Sequence, residues 1–233
     1  MRAVLLAEPA KRCRFYKALV VALGVLSGPL AWGYGYDKDQ DPLLIAFRAA
    51  VKAARAKDIP ASAAQAKKVS WQLKELKRKD DLRVDFEAAF LAAHGDEASE
   101  EGVIQAWSRL VYLALLQKLH WNLREKVADY HKARARLDAA QTYYELALAG
   151  NLRLQDSQRR ARDPKARSRH EDIVKSFAAA RKALGSPGLF GAGARPADLA
   201  AFRQSALRIV GHLKAAFPNF ARPEPEAKDS SGR

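Results

Sequence analysis

The chain has 233 residues, of which 41 are Lys or Arg and 26 are Asp or Glu, so its formal net charge is +15 at pH 7. Its only cysteine, Cys13, lies in a predicted export signal, so the mature chain is expected to lack a thiol. Disulfides, thiolate metal sites and cysteine nucleophiles are thereby excluded, and the hydrophobic core alone must stabilise the fold.

Residues 1–33 have the order of an export signal peptide. An apolar run over 18–30 is followed by Ala31-Trp32-Gly33, which places small residues at a signal-peptidase site. The basic residues before the run are Arg2, Lys11, Arg12, Arg14 and Lys17. The run is shorter than a membrane-spanning helix, which favours cleavage after Gly33 over retention as an anchor. We therefore expect a periplasmic or secreted protein that does not bind nucleic acid.

Residues 34–41 form a predicted polar linker. Asp37, Asp39 and Asp41 imitate the first ligands of a calcium-binding loop. However, Pro42 stands where that loop needs glycine, and Arg48 stands where it needs glutamate. The pattern favours Asp41 as the N-cap of a helix with Pro42 in its first turn.

Apolar residues at helical spacing predict an all-α fold with no strand. The sequence indicates a bundle of about six helices in a single domain over 42–220, followed by a disordered tail over 221–233. The turns between the helices are short, which makes consecutive helices antiparallel neighbours. The helices are expected at about 42–57, 62–79, 82–93, 97–149, 171–184 and 197–216.

The long central helix, at about 97–149, organises this prediction. The stretch 103–149 holds neither Gly nor Pro, and apolar residues recur there at alternating spacings of three and four, as in a coiled coil. Asp96 or Ser99 is expected to cap its start, and Gly150-Asn151 to end it. Its middle, 110–119, is apolar on nearly every side and predicts a core segment. A break near His120-Trp121-Asn122 is the alternative to one continuous helix.

Polar residues interrupt the apolar seam of this helix. They are His120, Tyr130, Arg134, Gln141 and Tyr144. Buried polar groups need partners, so these residues either pair internally and set the helix register, as Arg134 would with Asp138, or line a polar pocket. The candidate ligand-binding residues of such a pocket are His120, Tyr130, Arg134, Tyr144 and Glu145. Glu145 and Asp85 would suit a hard cation, but Arg134 favours an anion or a partner's side chain, so no metal site is predicted.

A strongly basic stretch covers 151–170. Only Asp156 and Asp163 offset its seven basic residues, and no aromatic residue is interleaved, so stacking on nucleic-acid bases is not indicated. The basic residues are Arg153, Arg159, Arg160, Arg162, Lys165, Arg167 and Arg169. The stretch is either a solvated helix end and loop or a patch that binds an anionic surface, including a membrane.

The sequence contains no HExxH, GxSxG or P-loop motif, and its five histidines are scattered. Neither a catalytic residue nor a cofactor is predicted. The chain over about 137–217 resembles the periplasmic helical domain of bacterial high-affinity iron permeases, on the basis of Tyr143-Tyr144-Glu145, then Ile173, Phe177 and Arg181, and a closing Leu/Phe helix. The family's transport motif, Arg-Glu with a second Glu three residues on, is absent. The resemblance therefore implies an accessory role near iron uptake and no permease activity.

The predicted function is that of an exported, non-catalytic accessory or binding protein, for which metal or iron uptake is a candidate pathway. A holdase chaperone or scaffold that uses the basic surface and the long helix is the first alternative. An enzyme with an unrecognised site is the second. The expected partner is a protein or an anionic surface, and the oligomeric state is left open.

Overall fold

The computed structural model of the chain describes residues 41–78, 86–95, 98–188 and 193–220. The predicted export signal, the linker before Asp41, Asp85, Asp96 and the predicted tail lie outside the described residues.

The regular elements of the described ranges are helical, which confirms the all-α prediction. The helices are α1 (Pro42–Arg55), α2 (Ile59–Ala66), α3 (Ser70–Arg78), α4 (Glu87–Ala92), α5 (Glu100–Arg124), α6 (Tyr130–Tyr143), α7 (Ala149–Arg162), α8 (Arg169–Ala183) and α9 (Leu199–Ala216). A 3₁₀ turn, Lys67–Val69, joins α2 to α3, and a π-helical segment, Tyr144–Leu148, joins α6 to α7. These nine helices of the described ranges exceed the six predicted because the second and the central predicted helices are each divided in two, and because α7 forms where no separate helix was predicted.

Side-chain caps begin several of these helices where the sequence predicts them. The Asp41 carboxylate accepts hydrogen bonds from the amides of Leu43 and Leu44 at 2.9 and 3.1 Å, with Pro42 in the first turn. The Ser99 hydroxyl accepts from the amide of Gly102 at 3.1 Å and so begins α5. Each cap satisfies amides that have no partner within the helix.

The middle of α5 is the core of the described fold. Every side chain from Leu110 to Leu115 is buried, as predicted for this segment. Helices α1, α3, α4, α6 and α9 all pack against α5, which explains why it is apolar on several sides. No helix in the described ranges is both long enough and apolar enough to cross a membrane.

The central stretch breaks at residues 125–129, and not at His120-Trp121-Asn122. The amides of Lys126 and Val127 bond back to the carbonyls of Leu123 and Asn122, a Schellman ending in which both residues have positive φ, 52° and 48°. The predicted break point continues α5 because the buried Asn122 amide donates to the Ala133 carbonyl at 2.8 Å, linking α5 to α6. The predicted helix over 97–149 is therefore two helices that pack on each other.

The predicted helix end at Gly150-Asn151 is wrong, because both residues lie inside α7. The chain stays helical from α6 through the π-helical segment to Arg162. A glycine inside a helix costs about 1 kcal/mol relative to alanine. Burial of Leu152, two residues further on, stabilises the helix by more than that, about 1.5–3 kcal/mol, so the helix continues.

Candidate functional site

A groove of about 410 Å³ lies between the first turn of α1 and helices α3, α5 and α6. We call it the basic groove. Its apolar wall comes from Pro42, Leu44, Ala135 and Ala139, and its cationic side chains are Lys118, Arg134 and Arg136, with His131 beside them. Such a volume is in the range of small-ligand and side-chain binding sites.

Trp71 of α3 supplies the aromatic surface of the groove. Its side chain is 42% exposed, which is unusual for a tryptophan, because α3 turns Leu73 and Leu76 toward the core. A flat ring that is accessible to solvent offers stacking area to an incoming side chain at low entropic cost.

A buried pair of glutamines positions two groove residues. The Gln72 Nε2 donates to the Gln117 Oε1 at 3.0 Å, and both side chains are almost completely buried. The bond connects α3 to α5 next to the groove, because Trp71 precedes Gln72 in the chain and Lys118 follows Gln117. A hydrogen bond in an apolar interior restricts the geometry of both elements.

Ion pairs arrange the charges of the groove. Five cations and three carboxylates lie in and around it, and four of the cations pair with two of the carboxylates. The cations are Lys118, Lys132, Arg134, Arg136 and Arg181, and the carboxylates are Asp41, Glu125 and Asp138. The region therefore keeps an excess of positive charge and attracts anions.

Asp138 and Glu125 each hold two of these cations. Asp138 accepts from Arg134 on its own helix at 2.8 Å and from Arg181 of α8 at 2.5 Å. Glu125 accepts from both terminal nitrogens of Arg136, at 2.8 and 3.0 Å. The Arg136 hydrogen bonds hold the pKa of Glu125 at about 2, well below its ordinary value. Hydrogen bonding to Asp138 likewise raises the pKa of Arg134.

Asp41 is occupied by its neighbours. One carboxylate oxygen caps α1, and the other accepts a hydrogen bond from the Tyr143 hydroxyl at 2.8 Å. Burial, followed by the Asp41 charge, raises the pKa of Tyr143 above its ordinary value, so this hydroxyl stays a donor. Asp41 thus holds α1 on α6 and leaves the groove charge to the arginines.

Of the predicted ligand-binding residues, Arg134 lines the basic groove. It also pairs with Asp138, which is the internal pairing that the sequence predicts as the alternative to a pocket. Tyr144 is buried, and its hydroxyl contacts the His170 Nδ1 at 2.6 Å. Glu145 is exposed and accepts from Gln141 at 2.7 Å.

Tyr130 and His120 are half-buried and, like Tyr144 and Glu145, do not line the groove. The ring of Tyr130 lies against that of His131, with 5.3 Å between centroids. The five predicted residues therefore do not converge on one pocket inside the bundle, because the turn at 125–129 separates His120 from the rest.

The predicted anionic-surface patch divides into two sets. Arg159 pairs with Asp156, Arg160 pairs with Glu171, and Arg169 donates to the Ala215 carbonyl. Arg153 donates to the Ala149 carbonyl of its own helix. The exposed side chains of Arg162, Lys165 and Arg167 have no partner among the described residues.

Asp156, the partner of Arg159, has a structural role. Its buried carboxylate accepts from the Ser168 hydroxyl and from the His170 amide, both at 2.9 Å, and so joins α7 to the start of α8. Burial by itself would raise the pKa of Asp156, but these hydrogen bonds lower it below its ordinary value.

No known protein family, curated protein or solved structure matches the chain. Within the described ranges, no three His, Cys, Asp or Glu side chains are grouped so that they could hold a metal ion. The functional interpretation therefore rests on the geometry of the groove.

Sequence reasoning missed Trp71, Lys118, His131 and Arg136 as groove residues. One signal was present in the sequence: Trp71 lies in a polar helix, two residues before the core residue Leu73 and five before Leu76, which places it toward the solvent-exposed side. Lys118 and Arg136 gave no such signal, since exposed cations are common in this chain.

Proposed function

We propose that this protein is an exported, non-catalytic binding protein whose basic groove holds an acidic segment of a partner protein. The observation that supports this is the combination of an exposed tryptophan with an excess of cations in one groove. Acidic side chains of the segment would contact Arg134 and Lys118, and a neighbouring apolar side chain would stack on Trp71.

The ion pairs of the groove do not oppose such binding. Arg134 and Asp138 are each more than a third exposed, and ion pairs of that kind contribute about 0–1 kcal/mol. An incoming carboxylate can therefore share or replace Asp138 at little cost. The pairs also hold the guanidinium groups in place before the partner arrives, which reduces the entropy lost on binding.

Export and an accessory role near iron uptake belong to the same proposal. They rest on the order of residues 1–33 and on the resemblance of 137–217 given above. In this role the protein would bind an acidic segment of an uptake component, while the metal itself would be handled elsewhere.

Titration calorimetry with two capped tetrapeptides tests the groove. One carries two aspartates, a phenylalanine and a leucine, and the other has asparagine in place of each aspartate. We expect the acidic peptide alone to bind, with an affinity that falls as salt is added. Trp71→Ala should weaken binding about tenfold, which corresponds to about 1.4 kcal/mol. Arg134→Gln should weaken binding and reduce its salt dependence.

Leu207→Ala is the matched control, because Leu207 is also an exposed large apolar side chain but lies on α9, away from the groove. It should leave the affinity unchanged. Equal binding of both peptides, or no effect of Trp71→Ala, would reject the proposal. If the protein then still suppressed the aggregation of an unfolded client, the holdase alternative would be favoured.

A further inference from the structure

A second groove runs between α5, α7 and residues 216–220, with a volume of about 300 Å³. Its polar side chains are four amides, from Gln105, Asn151, Gln155 and Asn219, together with Ser108 and Glu101. We call it the amide trough. Among the described residues, no Lys, Arg or His lines it, although the chain has 41 Lys and Arg residues.

The trough continues beyond this cavity. An adjoining cavity of about 230 Å³ shares Gln105, Asn219 and Phe220 with it. The cation of that second part, Arg109, donates to the Phe220 carbonyl at 3.2 Å and lies over the Phe86 ring. The two cavities therefore form one elongated and largely neutral depression, which suits a chain-like ligand.

Much of the hydrogen-bonding capacity of the trough is unused. The side chains of Gln105, Ser108 and Asn219 have no hydrogen-bond partner among the described residues. The Gln155 Nε2 donates to the Asn151 Oδ1 at 3.2 Å and to the Ala216 carbonyl at 3.3 Å. These two bonds leave the Gln155 Oε1 and the Asn151 Nδ2 for a ligand.

The π-helical segment forms one wall of the trough. Ala147 and Leu148, both within it, line the cavity beside Phe217. π-helical turns in α-helices are rare and occur frequently at functional sites. The π-helical turn is therefore a second feature of the trough, independent of its polar side chains.

From this arrangement we infer that the amide trough binds a neutral oligosaccharide. Sugar hydroxyl groups both donate and accept hydrogen bonds, as side-chain amides do, and the apolar wall would cover the carbon face of a sugar ring. Among the described residues that line the 300 Å³ cavity, an anionic ligand would find no cation and a cationic ligand would find only Glu101.

A peptide strand fits the trough less well. Extended peptides are recognised mainly through the main-chain groups of a sheet edge. Two of the walls here, α5 and α7, are helices, whose main-chain groups are already bonded within each helix, and the third, residues 216–220, is largely a turn. Side-chain amides must therefore make the hydrogen bonds to a ligand, and their donors and acceptors are complementary to hydroxyl groups.

NMR titration of the full chain with chitotetraose, cellotetraose and maltotetraose tests this inference. At least one tetrasaccharide should shift the side-chain amide resonances of Gln105, Asn151 and Asn219. Asn151→Ala and Gln105→Ala should each weaken binding about threefold to tenfold, the effect of losing one neutral hydrogen bond. Both residues are exposed, so the helix content should not change.

Gln158→Ala is the matched control, since Gln158 is an exposed amide of α7 that does not line the trough. It should leave the affinity unchanged. The inference is overturned if no tetrasaccharide binds at millimolar concentration, if the trough variants bind as tightly as the parent chain, or if the acidic tetrapeptide shifts the same resonances.

Discussion

The basic groove and the amide trough both border α5, but they keep their polar groups in opposite states. In the groove, Arg134, Arg136 and Asp138 already have charged partners. In the trough, the amides of Gln105 and Asn219 have none among the described residues. Neutral groups in contact with water lose little by remaining unpaired, whereas crowded charges must be balanced. A ligand in the groove would therefore have to share existing ion pairs, whereas a ligand in the trough would replace water at the amides.

The two regions also differ in the polar groups buried behind them. The groove is backed by Gln72 and Gln117, which bond to each other. The trough is backed by Phe217 and Phe220, which pack on the fully buried Tyr112. The Tyr112 hydroxyl has no hydrogen-bond partner in the part of the chain that the structure describes. The groove thus has a bonded amide pair behind it and the trough a lone hydroxyl, although the Gln72 Oε1 also lacks a partner among the described residues. Mutation can test this contrast.

Gln117→Leu should have the largest effect. It removes the acceptor of Gln72 and leaves a buried amide unpaired, so we expect the free energy of unfolding to fall by about 1–3 kcal/mol. Urea denaturation measures the loss. The double variant Gln72→Leu/Gln117→Leu should recover part of it, because no polar group is then left unpaired. A single variant as stable as the parent would contradict the role of this bond.

Tyr112→Phe should act in the opposite direction. Burial raises the pKa of Tyr112 to about 12, and the hydroxyl is desolvated without compensation. Its removal is expected to raise the free energy of unfolding by about 1 kcal/mol. Thermal denaturation checks this, with Tyr143→Phe, which breaks the bond to Asp41, as the destabilising comparison. A less stable Tyr112→Phe variant would show that the hydroxyl has a partner.

Glu125 makes the region beside the groove sensitive to acid. Its pKa is lowered from 4.5 to about 2 in the folded chain, first by the Arg136 hydrogen bonds. Stability from this group is present above pH 4.5 and is lost as the pH falls toward 2. In denaturation curves at several pH values, Glu125→Gln should lack that part of the pH dependence. Identical pH profiles of the variant and the parent would remove Glu125 as its source.

Lys126→Gly should give the smallest change. Lys126 has a φ of 52° at the end of α5, a conformation that glycine adopts without strain. We expect a gain of about 0.5 kcal/mol in the free energy of unfolding, measured by urea denaturation. Lys57→Gly, at the end of α1 with a φ of 61°, is the matched case away from the groove. A loss in both variants would mean that the lysine side chains stabilise these turns.

Local patterns in the sequence predicted the helical class, the caps at Asp41 and Ser99, the core of α5 and the Arg134–Asp138 pair. Each depends on residues within about one or two turns of one another. The turn at 125–129 was missed because Lys126 and Val127 adopt positive φ, against their own preference. Tertiary packing imposes that conformation, and no local sequence pattern predicts it.

The basic groove itself was also beyond local reasoning. It joins Asp41, Trp71, Lys118 and Arg134, which are far apart in the chain and meet only because α1, α3 and α6 pack on α5. The helix past Gly150 was missed for a related reason. Its continuation depends on the burial of Leu152 by other helices, while glycine alone favours an ending.

The π-helical segment sets the angle between the two sites. Thr142 and Tyr143 line the basic groove just before it, and Ala147 and Leu148 line the amide trough within it. In a regular α-helix each residue advances the azimuth by about 100°. Removing one residue here, so that the π turn became an ordinary turn, would rotate α7 about its own axis relative to α6 by roughly that angle. A deletion of one residue in this segment would therefore change the alignment of the two sites without altering any side chain in either.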